Sequence, residues 1–292
     1  MNFALLLLCG IVAASSNIAM RTFQTRIQTS LRQLLTYQIL YISIAVVALF
    51  LLSPTMLPAD PQLWLLTVAF GLCIAVSSIG SSEALLNGPM SLTSVIVSCN
   101  VVMPILFGCL VHGESLSLFH LGGIVLLLVT FLLSGTGSKG AKKEISGKWY
   151  LFLAMGFLGN GFGAIVISAR SKLPYENIDM PFLAFSFLLA VFILGAFALF
   201  CKVREKDARL SIKPSWLLAA TVLPSAISIF GVNVLMFYLV TVYPTAVLYP
   251  IYNASTSVIV CVSSCLIFRE PMSKQKLLTL ILGIGAVVLL NL

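Results

Sequence analysis

The chain has 292 residues, of which 60% are hydrophobic and 9% charged, and its formal net charge is +8. A soluble domain carries roughly 25% charged residues, so this composition lacks the polar surface to remain in water and indicates an integral membrane protein. The positive charge does not point to a nucleic-acid partner: the 17 Lys and Arg residues fall between apolar stretches, where membrane topology places them, and form no single patch.

A helix needs about 20 residues to cross a hydrocarbon core about 30 Å thick, with every backbone polar group satisfied inside the helix. Cutting the chain at its polar breaks predicts an all-α membrane fold of ten spans, at 3–20, 31–53, 62–84, 91–111, 117–134, 148–169, 180–201, 215–239, 245–267 and 275–291. The first span follows Met1-Asn2-Phe3 with no basic residue and no small-residue cleavage site, so it is expected to be retained. The stretch 135–147, rich in Gly, Ser and Lys, is the expected linker between a first five-helix half, 1–134, and a second, 148–292. The seven cysteines (Cys9, Cys73, Cys99, Cys109, Cys201, Cys261, Cys265) show no metal-binding spacing and read as small buried hydrophobes.

The loops after spans 1, 5, 7 and 9 hold 15 of the basic residues, and those after even-numbered spans hold only Arg170 and Lys172. The positive-inside rule then places the odd loops in the cytoplasm of a cell-membrane protein and both termini outside. Five spans per half oblige the second half to enter the membrane in the opposite sense, and the loop charges agree. The loop after span 2 has no Lys or Arg while its counterpart after span 7 has five. Inverted repeats of this kind place a substrate site near the midplane, where two similar bundles can rock against each other.

The sequence itself carries traces of the duplication. A turn at Asn87-Gly88-Pro89, an apolar span with Ser94, Ser98, Asn100 and Pro104, and a stop at His112-Gly113-Glu114 recur as Tyr243-Pro244, a span with Tyr249, Pro250, Tyr252 and Asn253, and Phe268-Arg269-Glu270. Pro244 follows Pro89 by 155 positions and Glu270 follows Glu114 by 156. A weaker repeat links Gly10 and Arg21 of span 1 to Gly159 and Arg170 of span 6, where Gly156, Gly161 and Gly163 surround Asn160. Those glycines are read first as close helix packing and second as a flexible wall.

With these residues in place, the chain resembles the drug/metabolite transporter superfamily in its EamA-like branch. The features that carry the likeness are Ala84-Leu85-Leu86-Asn87-Gly88-Pro89, Pro104, Gly113-Glu114-Ser115-Leu116-Ser117 and Leu121-Gly122-Gly123, with Arg269-Glu270-Pro271-Met272-Ser273 in the second half. These motifs mark helix ends and packing and name no substrate. Where members often carry Trp-Gly in span 1, this chain has Cys9-Gly10. The resemblance implies a ten-helix secondary transporter with cytoplasmic termini, and on that last point the basic-residue count is preferred.

The candidate substrate site is a stripe on span 9, Tyr249, Tyr252, Asn253 and Thr256, which recurs at helical spacing. A shift of 155 brings Tyr249 and Asn253 onto Ser94 and Ser98 of span 4. The competing reading is hydrogen-bonded glue between helices, and single amides such as Asn100, Asn160 and Asn233 are assigned to glue. Glu83 is the one acidic residue inside a span; it is either an interfacial carboxylate or a site of proton coupling or cation recognition. Glu114 and Glu270 stand just before the following span, where a carboxylate can cap free N–H groups. Pro104 and Pro250 are candidate hinges. Arg21, Arg32 and Arg170, at span ends, are expected to snorkel to lipid headgroups.

The reading favoured is a secondary transporter that moves a small organic solute (a metabolite, amino acid or drug-like compound) by alternating access, in the export direction. Protons are the candidate coupling ion, and membrane lipids are the surroundings. No cofactor, metal or nucleic acid is expected. A flippase for a lipid or lipid-linked solute is the alternative. A membrane enzyme or scaffold ranks lower, because His112 and His120 have no acidic partner on their helical face. Substrate, direction, coupling ion and oligomeric state are not encoded in any motif found.

Overall fold

The computed structural model describes residues 2–26, 30–87, 93, 96–136, 147–175, 177–204, 216–267 and 274–290. The chain is helical throughout, with no strand among the described residues. In order, the elements are α1 (Asn2–Arg26), α2 (Leu31–Leu52), α3 (Pro61–Asn87), a 3-10 turn (Cys99–Val101) leading into α4 (Val102–Val111), α5 (Leu118–Thr136), α6 (Gly147–Ser171), α7 (Asp179–Arg204), α8 (Trp216–Val242), α9 (Thr245–Ile267) and α10 (Lys274–Leu289). Seven helices are long and apolar enough to cross a membrane, and three shorter apolar ones cover Ile96–Val111, Leu118–Thr130 and Leu280–Leu289. The molecule is a multi-pass, all-α membrane protein. Its outward faces agree, since Leu51, Leu110 and Leu118 are 78%, 81% and 86% exposed, an arrangement that only lipid makes favourable. Most of the expected linker, 137–146, lies outside the described residues; α5 continues to Thr136 and α6 begins at Gly147.

Local sequence explains several helix ends. Ser30 opens α2 with a reciprocal cap: its hydroxyl accepts the Gln33 N–H at 3.4 Å while the Gln33 side chain accepts the Ser30 N–H at 3.0 Å. Asp60 opens α3 by accepting the Gln62 N–H at 2.7 Å. The same carboxylate accepts the Tyr175 hydroxyl, tying the α2–α3 loop to the α6–α7 loop. That bond holds the Asp60 carboxyl below its ordinary range and pushes the Tyr175 phenol up. The proline of α4, Pro104, follows the 3-10 turn, whereas α8 and α9 run on through Pro224 and Pro250.

Lipid is as apolar as leucine, so helices in it associate through close packing and hydrogen bonds rather than by escaping water. The most extensive contact, α3 on α6, shows this. A Cβ on Gly80 would lie 2.5 Å from the backbone nitrogen of Gly156, so the two helices touch backbone to backbone. Rings fill the space between α3, α7 and α8: Phe70 stacks on Phe182 at 5.8 Å, and Phe182 meets Phe237 edge-on at 5.6 Å.

The helix contacts come in matched sets. α3 packs on α6 as α8 packs on α1; α3 meets α7 as α8 meets α2; α1 meets α9 as α6 meets α4. α2 with α7, α4 with α9 and α5 with α10 complete the set. Exchanging each helix of the first five with the one five places later maps these contacts onto themselves. The contact of α9 with α10 has no counterpart of similar extent.

Candidate functional site

A cavity of about 370 Å³ lies where α2, α3, α6, α8 and α9 converge on the 3-10 turn. Its size is near the lower end of the roughly 300–1,000 Å³ common for small-molecule sites. Two of its walls come from α3 and α8. Ile74, Ser77 and Ser78 line one, and Ile229, Val232 and Asn233 line the other. Ile229, Val232 and Asn233 follow Ile74, Ser77 and Ser78 by 155 positions, the offset found in the sequence.

The other walls are α6, with Gly159, Asn160, Gly163 and Ala164, and α9, with Tyr249, Tyr252 and Asn253. Glycines on α6 let its backbone approach α3 and leave room beside Asn160. Three of the four stripe residues of span 9 therefore face the cavity. Thr256 does not line it; its hydroxyl donates to the Tyr252 carbonyl at 2.8 Å within its own helix. On the α4 side, Ser98 is half-buried away from the lining and Ser94 lies outside the described residues. Asn100 of the 3-10 turn is what that segment contributes.

Asn100, Asn160 and Asn233, assigned to glue from the sequence, also line the cavity, as do Cys73, read there as a small buried hydrophobe, and Tyr41, which the sequence did not single out. Asn233 is the position that the 155-residue offset pairs with Ser78, another lining residue.

The polar groups of the walls are held by local bonds. Asn160 Nδ2 donates to Gly156 O at 2.9 Å, Asn233 Nδ2 to Ile229 O at 2.7 Å, and Asn253 Nδ2 to Tyr249 O at 2.9 Å. The Tyr249 hydroxyl donates to Ala164 O across to α6 at 3.0 Å, and Ser77 Oγ donates to Ile74 O at 3.0 Å. Among the described residues, none that lines the cavity is Asp, Glu, Lys, Arg or His.

Glu83 sits apart from this space. It is half-buried near the end of α3, and its Oε2 accepts Asn87 Nδ2 at 2.6 Å. Glu114 has a role at a distant helix end. Its Oε1 accepts the Thr245 N–H at 2.9 Å and its Oε2 the Ala246 N–H at 2.7 Å, so it caps α9. The helix end served lies 131 positions further along the chain and is not that of the span following Glu114 in sequence. Gly113, at φ +64°, makes the turn that swings the carboxylate there. Around it, His112 Nε2 meets Ser168 Oγ at 3.2 Å and Ser168 Oγ meets Thr245 Oγ1 at 2.9 Å. The second candidate cap, Glu270, lies outside the described residues.

Arg170 corrects an expectation. Its side chain is 3% exposed and pairs with Asp179 at 2.6 Å, with the guanidinium 5.8 Å from the Phe237 ring centre. Asp179 at the start of α7 and Phe237 of α8 cover the group, which therefore does not snorkel to lipid headgroups.

The fold and cavity thus define a multi-pass helical membrane protein with a polar cavity that no charged residue lines among the described residues. A crystal structure described only as that of a protein superposes on this chain with a TM-score of 0.71, covering 97% of this chain and 95% of its own, at 16% identity. At that identity the likeness is one of fold. No protein-family profile matches the sequence, and no curated protein matches it.

Proposed function

We propose that the chain is a secondary transporter that moves a small organic solute across the cell membrane by alternating access, in the export direction, with an EamA-like drug/metabolite transporter architecture. In this reading α1–α10 are ten spans in two inverted five-helix halves, and no covalent chemistry is performed. The observation that carries it is the cavity lining: residues of α3 and α8 separated by the repeat shift line one polar space that no charged residue lines among the described residues. The matched helix contacts support the same arrangement. A bundle pair of this kind can expose one central site to either side by rocking.

The odd loops are cytoplasmic and the termini outside, on the strength of the basic-residue count. Energy comes from a solute or proton gradient. Because Glu83 is bonded to Asn87 away from the cavity, we assign it to the helix end in preference to the coupling role. Glu83→Gln should leave pH-driven flux within about twofold, a difference under 0.5 kcal/mol; loss of that flux with counterflow intact would return Glu83 to the coupling role.

The experiment is reconstitution of the purified protein into liposomes loaded with unlabelled solute, followed by uptake of labelled solute from a panel of amines, amino acids and nucleobases. A carrier gives saturable uptake that internal solute accelerates. Uptake that rises linearly with concentration would mean a pore, and no uptake for any member would remove the transporter reading.

A further inference from the structure

A charged pair stands at one end of the cavity, and the inference drawn from it rests on reading the cavity as the solute site. Ile167 of α6 and Met236 of α8 line the space. Arg170 stands one turn beyond Ile167 on the same face of α6, and side chains on a helix lean toward its N-terminus, so the Arg170 stem covers the turn that carries Ile167. Its guanidinium lies 5.8 Å from the ring centre of Phe237, the residue after Met236. Phe237 meets Phe182 edge-on, and Phe182 stacks on Phe70 of the lining. Arg170 Nη2 then donates to Asp179 Oδ1 at 2.6 Å, so the pair runs from a side chain 3% exposed to a carboxylate 46% exposed at the start of α7.

The opposite end is closed differently. The Asp60–Tyr175 bond sets the end of α2 beside the end of α6, so the start of α2 lies at the far end of the bundle. There Tyr37 precedes Tyr41 of the lining by one turn, and Ser225 precedes Ile229 by one turn. The Tyr37 hydroxyl donates to Thr221 O at 2.9 Å and meets Ser225 Oγ at 2.7 Å, and both side chains are neutral and fully buried. At the Arg170 end the contact is charged and incompletely satisfied, since the buried Nε has no hydrogen-bond partner among the described residues. A buried guanidinium stays in place only while its counter-charge is beside it. Without the carboxylate its desolvation is uncompensated, and water is the partner that can satisfy all of its N–H groups. We infer that the Arg170–Asp179 pair is a gate of the cavity: the intact pair shuts the end between α6, α7 and α8, and loss of the Asp179 charge opens that end because Arg170 turns to water.

The test uses Cys73, a free thiol in the lining. The purified full-length protein is exposed to trimethylammonium-ethyl methanethiosulfonate, and modification of Cys73 is followed by peptide mass spectrometry. The reagent is cationic, so attraction to an unpaired Arg170 cannot imitate opening. Asp179→Asn should speed modification at least about tenfold. Asp179→Glu, which keeps the charge, should stay within about threefold of the parent. Arg170→Leu combined with Asp179→Asn leaves no charge to hydrate and should return the rate to within about threefold of the parent. A contact that serves only as glue predicts the other order, with the double variant at least as reactive as the single one. The inference is overturned if Asp179→Asn leaves the Cys73 rate unchanged, if the double variant reacts as fast as Asp179→Asn, or if either variant fails to fold, which would make the pair a structural contact with no opening to relieve the lone charge. No solute enters this measurement, so the two readings fail separately. Cys73 rates as expected without saturable flux in liposomes would sink the transporter reading alone, and saturable flux with unmoved Cys73 rates would sink the gate alone.

Discussion

Two polar regions of this molecule differ in what their polar atoms have left to do. At the Glu114 junction, both carboxylate oxygens hold backbone N–H groups of α9, and Thr245, Ser168 and His112 continue the chain of bonds. In the cavity, Asn160, Asn233, Asn253, Ser77 and Tyr249 make one local bond each, and the amides keep an oxygen and a second N–H. The first arrangement is what a buried polar group needs to stay in place. The second leaves unspent hydrogen-bonding capacity where a solute can use it. Residue type alone does not separate them, since serines occur in both.

The comparison predicts opposite outcomes for substitutions. Glu114→Ala removes two charge-assisted bonds and leaves the first N–H groups of α9 orphaned beside a buried Thr245, so it should cost about 3 kcal/mol of stability. Chemical unfolding in detergent reads this directly, and Glu114→Gln, which keeps an acceptor, should recover about half. A variant as stable as the parent would mean that water or another group already caps α9. Asn160→Leu lies at the other extreme. Its amide gives up an intrahelical bond worth on the order of 0.6 kcal/mol, so stability should barely change while solute binding falls. If instead Asn160→Leu unfolds the protein and solute binding survives in the folded fraction, the cavity amides are glue after all.

Between these lies the packing of α3 on α6. Gly80→Val forces a branched side chain onto the backbone of Gly156 and should cost about 2 kcal/mol. It should also reduce flux by more than its stability loss accounts for, because Ser77 and Asn160 face the cavity from the same two helices. Equal losses of folded protein and flux would mean that the contact is structural only.

Much of this was legible in the sequence, and the failures have physical causes. Span positions follow from apolar length, and α2 and α9 begin where the sequence places them. An offset of 155 was readable from Pro89 and Pro244, and the same offset separates Ser78 and Asn233, which both line the cavity. Helical periodicity identified Tyr249, Tyr252 and Asn253 because they share one helix face. It could not separate them from Thr256, on the same stripe a turn further on, since which part of a stripe opens on a cavity depends on the neighbouring helices. Partners across helices were equally invisible. Nothing local in Arg170 announces Asp179, and nothing in Gly113-Glu114 says that the helix it caps lies 131 positions further along the chain.

The smallest expected effect tests a third kind of polar contact, one at the surface. Asp60 and Tyr175 join the α2–α3 and α6–α7 loops at the end of the bundle where Glu114 caps α9. The Tyr175 hydroxyl favours the ionised carboxylate and depresses the Asp60 pKa in the folded protein. A group depressed in this way stabilises the fold above the ordinary carboxylate range and loses its contribution as pH falls through the lowered value. Tyr175→Phe should therefore melt slightly below the parent near neutral pH, and the gap should close as the solution is acidified below the ordinary range. A gap that stays constant with pH would show that Tyr175 acts through packing of its ring, and the loop tie would then belong with the structural contacts at Glu114 rather than forming a separate, titratable one.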